Sequence, residues 1–513
     1  MTRSISRNLL RPFSIALLLL TLLPATASGA EFAAPVARDI ERAISKHLPK
    51  GATIGISIVK LDQTPGGVPG RVSHGNSTTV FEKNASRSMI TASNLKVVTS
   101  AAAVEGLGAD FRFKTKMLAR KNEAGGYDVV VVGDGDPSFG DVDLLSEVDG
   151  WGSRTVFKTW ADALAKAGVK NVDTLHLDAS VFDEDVRHPN WPDNQRHRWY
   201  EAQVGGLNLN INCLDIHLTR DGSIIRPRLD PPTAYVDLED TCRAGNKNAV
   251  IIGRRLGTNE IVLSGQTNAK QQAVRVTIDG PTMYFGTVLA ETLRESGIGV
   301  SQVQSTPGAG KSLGGLHLLA VHETPIAPVL GRTNKDSINL YADSLLKRLA
   351  HQATGQPGSW KAGNDVVKTY VRSLGGDDRE VNLDDGSGMS RDNRVSARVI
   401  TAILADQFEG DHFEVYRNSL SEAGVDGTLK KRFAGNDRLD LRGRVFGKTG
   451  FINYVSTMSG YLQARDGTWY AFAVLVNDCP NNFIWKAKEL QEDVVIAVDR
   501  STKEADVVRM GSD

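Results

Sequence analysis

The sequence predicts an α+β protein, and three observations predict it. Segments with the alternation of strands lie near both ends of the chain, helical patterns occupy both termini and the stretch after Ser93, and the middle is a long series of short strand-like pieces punctuated by Gly, Pro, Asp and Asn. Strands and helices grouped in this way, without regular alternation, point to antiparallel sheet flanked by helices. At 513 residues, 41% hydrophobic and 23% charged, the composition is globular, with room for about two to four domains. The 60 basic and 60 acidic residues cancel, which argues against a general role on nucleic acid or an anionic membrane, where a basic excess supplies the attraction.

The first element is an address. Arg3, Arg7 and Arg11 precede an apolar core from Phe13 to Leu23, and small residues run to Ala30: the layout of a secretory signal over residues 1–30. The core is shorter than the roughly 20 residues that cross a bilayer. With no cysteine near the cleavage region and no later apolar span, the expected product is a soluble exported protein beginning near Glu31, in the periplasm or cell envelope, with peripheral membrane association left open.

"PVARDIERAISKHL" then has helical spacing, and "ATIGISIVKLD" is β-branched and alternating. Near the other end "GRVFGKTG", "INYVSTMSGYLQA" and "TWYAFAVLVND" read as strands, the last two joined by the turn Arg465 to Gly467, and "ELQEDVVIAVDRSTKEADVVRM" reads as a helix. One domain is therefore expected from both ends of the chain, residues 31–110 and 320–513. Between them "YDVVVVGDGD", "VDTLHLDAS", "CLDIHLTR" and "AVRVTIDG" are strand-like and "FKTWADALAKAG" is helical, which predicts one or two inserted domains. Export permits disulfides. A bridge between Cys213 and Cys242 would contribute about 3 to 4 kcal/mol and leave Cys479 single; three free thiols are the alternative. No Cys-x-x-Cys or His-Glu-x-x-His pattern occurs, so neither a metal nor another cofactor is expected.

The chemistry begins with "MITASNLKVVTSAAAVEGLG". If a helix starts at Ala92 or Ser93, Ser93 and Lys96 share one face, and the helix N-terminus adds N–H groups and positive potential where an oxyanion forms. Burial that lowers the lysine toward neutrality would make it a base. About two Ser-x-x-Lys matches arise by chance in a chain of this size, and Ser344 with Lys347 is a second; alone, Ser93 reads as a helix cap. Two distant stretches change that reading. Ser337-Ile338-Asn339 leads into an amphipathic helix, and Lys448-Thr449-Gly450 lies on a strand. Taken singly, Ser337 caps its helix and Lys448 is a solvated charge; together and in this order they are the three elements of active-serine penicillin-recognising enzymes.

On these motifs, and on "VVVVGDGDPSFG", "WYEAQVGGLNLNINCLDI", "DDGSGMSRDNRVSA" and "EAGVDGTLKKR", the chain resembles the class C low-molecular-mass penicillin-binding proteins, the D-alanyl-D-alanine carboxypeptidases/endopeptidases, over nearly its whole mature length. The interval from Ser93 to Ser337 leaves room for the large insertion typical of that family, whereas a β-lactamase has a far shorter one. The resemblance implies a β-lactamase/transpeptidase-like catalytic domain with an inserted domain over 111–137 and 218–319, and a third domain, 138–217, nested in it. It implies Ser93 as nucleophile, Lys96 as its base, Ser337 as proton relay, and Asn339 on the substrate amide. Lys448, Thr449 and Gly450 would serve the substrate carboxylate, Lys448 also depressing Lys96, and the N–H groups of Ser93 and Phe451 would form the oxyanion hole. Peptidoglycan peptides are the implied substrates and β-lactam antibiotics the implied covalent inhibitors.

Two positions depart from the pattern. Thr91 stands where proline is common, and Ile338, where aspartate is frequent, would put an apolar group at the edge of the site. Glu414 and Asn418 imitate the deacylating pair of class A β-lactamases but read as a solvated helix face. A serine β-lactamase and a non-catalytic penicillin-binding scaffold are the competing functions; the long first interval opposes the former and the complete reactive set the latter.

Overall fold

The computed structural model describes residues 27–62, 77–145, 151–433 and 441–510. The secretory segment predicted over 1–30 lies outside them except for 27–30, which open the helix Ala27–His47.

The two ends of the chain meet in a six-stranded antiparallel sheet, in the order Ser421–Glu422, Val445–Ile452, Val455–Gln463, Trp469–Asn477, Thr53–Leu61, Ser77–Lys83. Thr53–Leu61 runs against Trp469–Asn477 in unbroken register, from Thr53 opposite Asn477 to Leu61 opposite Trp469. Side chains alternate across a strand. Trp469, Ala471, Ala473 and Leu475 therefore join the core that contains Val97, Leu345 and Ile400, while Tyr470, Phe472, Val474 and Val476 join Ile40, Leu490 and Val494 on the terminal helices Ala27–His47 and Ile484–Met510. Both faces are covered, which is why "WYAFAVLVN" is almost uninterruptedly apolar. The first of these cores holds the helices that matter for chemistry: Leu95–Leu107, buried from Leu95 through Val104, Asn339–Thr354 and Ala397–Glu409. A helix without a solvent face belongs in an interior.

The middle of the chain adds a five-stranded sheet, Gly299–Ser305, Asn171–Asp178, Tyr127–Val132, Arg112–Lys121, His317–Pro325. It is mixed: Asn171–Asp178 runs parallel to both of its neighbours. A parallel neighbour requires a crossover, and the helices Thr155–Lys166 and Pro281–Glu295 supply it, packing Phe157, Trp160 and Phe285 around Phe139. Two smaller sheets complete the region, one centred on Cys213–Asp221 and one on Glu260–Thr267.

Of the two alternatives left open for the cysteines, the structure has the free thiols: Cys213, Cys242 and Cys479 are all unbridged. The two side chains face different cores. Cys213 is sealed beside Val204 and Ile211, and burial raises its thiol far above the usual range. Cys242, half-buried between the strands Asp237–Asp240 and Arg243–Ala244, packs against the other core with Leu238 and Ala244.

Carboxylates from the middle of the chain grip the helix Asn339–Thr354. Asp134 accepts from Arg348 Nε (2.8 Å), and Asp183 from Lys347 Nζ (2.6 Å). Fully buried Asp141 accepts from Tyr341 Oη (2.6 Å) and Arg332 Nη2 (2.9 Å). Removing one partner of a buried pair strands the other. Asp141→Ala is expected to lower the unfolding free energy by about 3 kcal/mol, read as a lower urea midpoint at unchanged m-value; a loss below about 1 kcal/mol, the range of exposed pairs, would show that this carboxylate does not secure the junction.

Candidate active site

The turn that carries Ser93 is held where three elements converge. Ser93 sits in a 3₁₀ turn, Ala92–Asn94, that runs directly into the helix Leu95–Leu107. Ala92 has φ 47° and Ser337, on the opposite wall, φ 62°, conformations that non-glycine residues keep only when their surroundings enforce them. The enforcing bonds are visible. Asn94 Nδ2 donates to the Lys448 carbonyl (2.8 Å), Ser459 Oγ to Asn94 Oδ1 (2.7 Å), and Thr457 Oγ1 to the Thr91 carbonyl (2.7 Å). These sew the turn to two strands of the sheet. Gly450 makes the approach possible, since a Cβ there would stand 2.5 Å from the Thr91 oxygen and 2.8 Å from the Asn94 nitrogen.

Lys96, Ser93 and Asn339 form one hydrogen-bonded group. Lys96 Nζ donates to Ser93 Oγ (3.2 Å), Asn339 Oδ1 (2.6 Å) and the Ser387 carbonyl (2.8 Å). Asn339 Nδ2 donates to the Tyr200 carbonyl (2.8 Å) and touches Met389 Sδ (3.4 Å). Lys448 Nζ donates to Ser337 Oγ (2.9 Å) and to the Thr449 carbonyl (2.7 Å). Both lysines are fully buried. Burial lowers Lys96 to about 8, against the attraction of the Asp343 and Asp385 carboxylates. Lys448 is held well below the usual ammonium range by burial first and by repulsion from Lys96 second. The principal cause at Lys96 is thus desolvation, and the effect of the lysine pair is expressed at Lys448.

Ser93, Ser337, Asn339 and Phe451 line an open cleft of about 510 Å³, with Trp199, Tyr200, Met389 and Arg391 among its other walls. The five residues expected to react or bind are brought together. Thr449 is half-buried on the strand beside Lys448, and the Phe451 side chain lies exposed at the lip. Ile338 turns into the hydrophobic core instead of edging the site, and Thr91 is buried, so neither departure alters the lining of the cleft. Ser344 and Lys347 are buried away from it, Lys347 Nζ lying 3.8 Å from the centre of the Trp360 ring and bonded to Asp183. Glu414 and Asn418 are exposed and both bonded to Arg417.

Sequence reasoning missed Ser387 and Tyr200, which act through backbone carbonyls and so leave no mark on residue type. It also missed the carboxylate that organises their loop. Asp385 accepts from the N–H groups of Ser387 (3.1 Å), Gly388 (2.7 Å) and Ser390 (2.8 Å), from Asn393 Nδ2 (2.8 Å) and from Trp191 Nε1 (2.8 Å). The available signal was the dense "DDGSGMSRDN", whose small and polar residues suit a loop wound on one carboxylate.

Comparison with known proteins agrees with this geometry. The model of the family described as D-Ala-D-Ala carboxypeptidase 3 (S13) matches residues 58–498. A D-alanyl-D-alanine carboxypeptidase of Actinomadura sp. (strain R39) is 28% identical over 495 residues, covering 90% of this chain and 86% of its own. The D-alanyl-D-alanine carboxypeptidase DacB of Haemophilus influenzae is 25% identical over 450 residues, 85% of this chain and 87% of its own. The crystal structure of penicillin binding protein 4 (dacB) from Haemophilus influenzae shares the fold, with a TM-score of 0.70 at 22% identity over 88% of this chain and 97% of that one. Since the matched span contains every element of the cleft from Ser93 to Phe451, the chain belongs to the D-Ala-D-Ala carboxypeptidase 3 (S13) family and is a serine peptidase.

Proposed function

We propose that this protein hydrolyses the D-Ala–D-Ala bond of peptidoglycan stem peptides, and D-Ala cross-bridges of the same chemistry, through an acyl-enzyme on Ser93. The observation that carries this reading is the contact between Lys96 Nζ and Ser93 Oγ at 3.2 Å in a dry pocket that lowers the amine to about 8. Neutral Lys96 takes the Ser93 proton as Oγ attacks the carbonyl of the penultimate D-alanine. The N–H groups of Ser93 and Phe451 receive the developing oxyanion, about 3 kcal/mol per donor in comparable sites. Ser337, fixed by Lys448, relays a proton to the leaving amine. The terminal carboxylate binds at Lys448 and Thr449, and a negative charge there restores the protonated state of Lys448 that burial disfavours. Asn339 presents its amide to the substrate backbone by releasing the Tyr200 carbonyl. Water then clears the acyl group.

A β-lactam enters by the same attack and stays; the Haemophilus influenzae penicillin binding protein 4 has been crystallised in complex with a β-lactam. Glu414 lies on an exposed helix face bonded to Arg417, and among the described residues lining the cleft none is a glutamate that could serve as the class A deacylating base. We read residues 31–110 and 320–513 as the catalytic domain, with the nested insertions between them. We place the enzyme outside the cytoplasm, in the periplasm or cell envelope; among the described residues no helix is long and apolar enough to cross a membrane.

Fluorescent penicillin is expected to label the wild-type protein covalently on a denaturing gel, and Ser93→Ala to abolish the band; a band that persists in Ser93→Ala would sink the assignment. Ser337→Ala is expected to reduce D-alanine release from a pentapeptide by about 10²- to 10⁴-fold, the usual weight of one proton-transfer group, with penicillin labelling slowed but retained. Lys96 must be neutral to accept a proton, so the second-order acylation rate rises with pH and levels off above about 8; a rate independent of pH between 6 and 9, roughly one to two units around that value, contradicts the lysine base.

A further inference from the structure

Asp343 is a fully buried carboxylate that the mechanism above does not use. It stands one helical turn beyond Asn339 on Asn339–Thr354, and so on the same face. Its Oδ1 accepts from Gly386 N–H (2.7 Å) and Trp360 Nε1 (2.9 Å). Its Oδ2 and the neighbouring Ser387 Oγ are both sealed from solvent, and the Ser387 hydroxyl is the group that helps hold the carboxyl ionised from that side. A fully buried carboxylate with so few donors requires an explanation. Here Gly386 touches Asp343 while the next residue, Ser387, gives its carbonyl to Lys96 Nζ at 2.8 Å. One peptide step therefore separates the carboxylate's ligand from the lysine's.

We propose that Asp343 is a positioning residue for Lys96: through Gly386 and Ser387 it fixes the carbonyl that orients the amine, and its charge acts on the amine it positions. The inference rests on the reading of Lys96 as the proton acceptor. The other charges facing the pair have settled partners. Asp385 is satisfied by five donors. Lys347, the next turn of the same helix, lies over Trp360 and is paired with Asp183 and the Asp185 carbonyl. Lys448 faces Lys96 from the sheet and feels Asp336. Burial raises Asp343 to about 7, with Asp385 repelling it further, and an ionised Asp343 raises Lys96. The two groups thus titrate close to one another, and the charge on one is felt at the other.

Asp343→Asn keeps the Oδ1 acceptor, places an N–H donor toward Ser387 Oγ and removes the charge. Without that charge Lys96 loses a term that raises it, so the acidic limb of the pH profile for penicillin acylation is expected to move to lower pH by about one unit, the small end of shifts from a neighbouring opposite charge. Ser387→Ala keeps the backbone carbonyl but removes the hydroxyl that helps Asp343 stay ionised; the limb is expected to move the same way by less, and this variant carries the test if Asp343→Asn does not fold. Both profiles are measured on protein whose thermal midpoint shows it folded. A limb that stays at its wild-type position in Ser387→Ala and in folded Asp343→Asn overturns the proposal. The underlying reading fails separately: Ser93→Ala that still labels, or Lys96→Ala that acylates at the wild-type rate, removes the lysine base itself.

Discussion

The constraint on which this structure depends is that two lysine amines, Lys96 and Lys448, are both removed from water at one seam between a helix and a sheet. Burying one ammonium is costly, and burying two beside each other is more so. The surroundings answer with oxygen acceptors: Ser93, Asn339 and the Ser387 carbonyl at one amine, Ser337 and the Thr449 carbonyl at the other. These five acceptors come from four stretches of chain, so the seam exists only when the Ser93 turn, the Ser337–Asn339 segment with its helix, the Lys448 strand and the loop around Asp385 have all arrived. The same desolvation that costs stability lowers Lys96 to about 8, a common trade at catalytic sites.

The middle of the chain is tied to this seam by more than covalent continuity. Asp134, Asp141 and Asp183 hold side chains of the Asn339 helix or of the partner residue Arg332, and Trp191 donates to the carboxylate at the centre of the Ser387 loop. Tyr200 reaches farther, since its carbonyl takes the amide hydrogen of Asn339. The region that shapes the walls of the cleft thus also takes part in positioning its reactive groups.

Much of this was legible in the sequence where side-chain identity carries the signal. Ser93, Lys96, Ser337, Asn339 and Lys448 stand out because residue type and order carry their motifs, and four of the six strands of the central sheet, Thr53–Leu61, Val445–Ile452, Val455–Gln463 and Trp469–Asn477, because alternation or an apolar run marks them, whereas Ser77–Lys83 and the two-residue Ser421–Glu422 carry no such mark. Three things were not legible. The acceptors at Ser387 and Tyr200 are backbone atoms that any residue supplies. The helix Pro281–Glu295, which makes one parallel pairing possible, sits in a stretch whose turn residues suggested strands alone. The free thiols of Cys213 and Cys242 follow from which core each side chain enters, a tertiary fact that spacing does not encode. Ile338 is the same lesson in reverse, because its position in the motif placed it at the site and its apolar side chain went to the core.

The pairing of Thr53–Leu61 with Trp469–Asn477 also fixes when this enzyme can become active. During synthesis the nucleophile helix is complete long before the strands to which its turn is sewn exist. A nascent chain ending anywhere before those strands has a serine and a lysine but neither the glycine that admits the turn nor the carbonyl that receives Asn94. The cleft of this hydrolase is therefore complete only once its own last strands are in place.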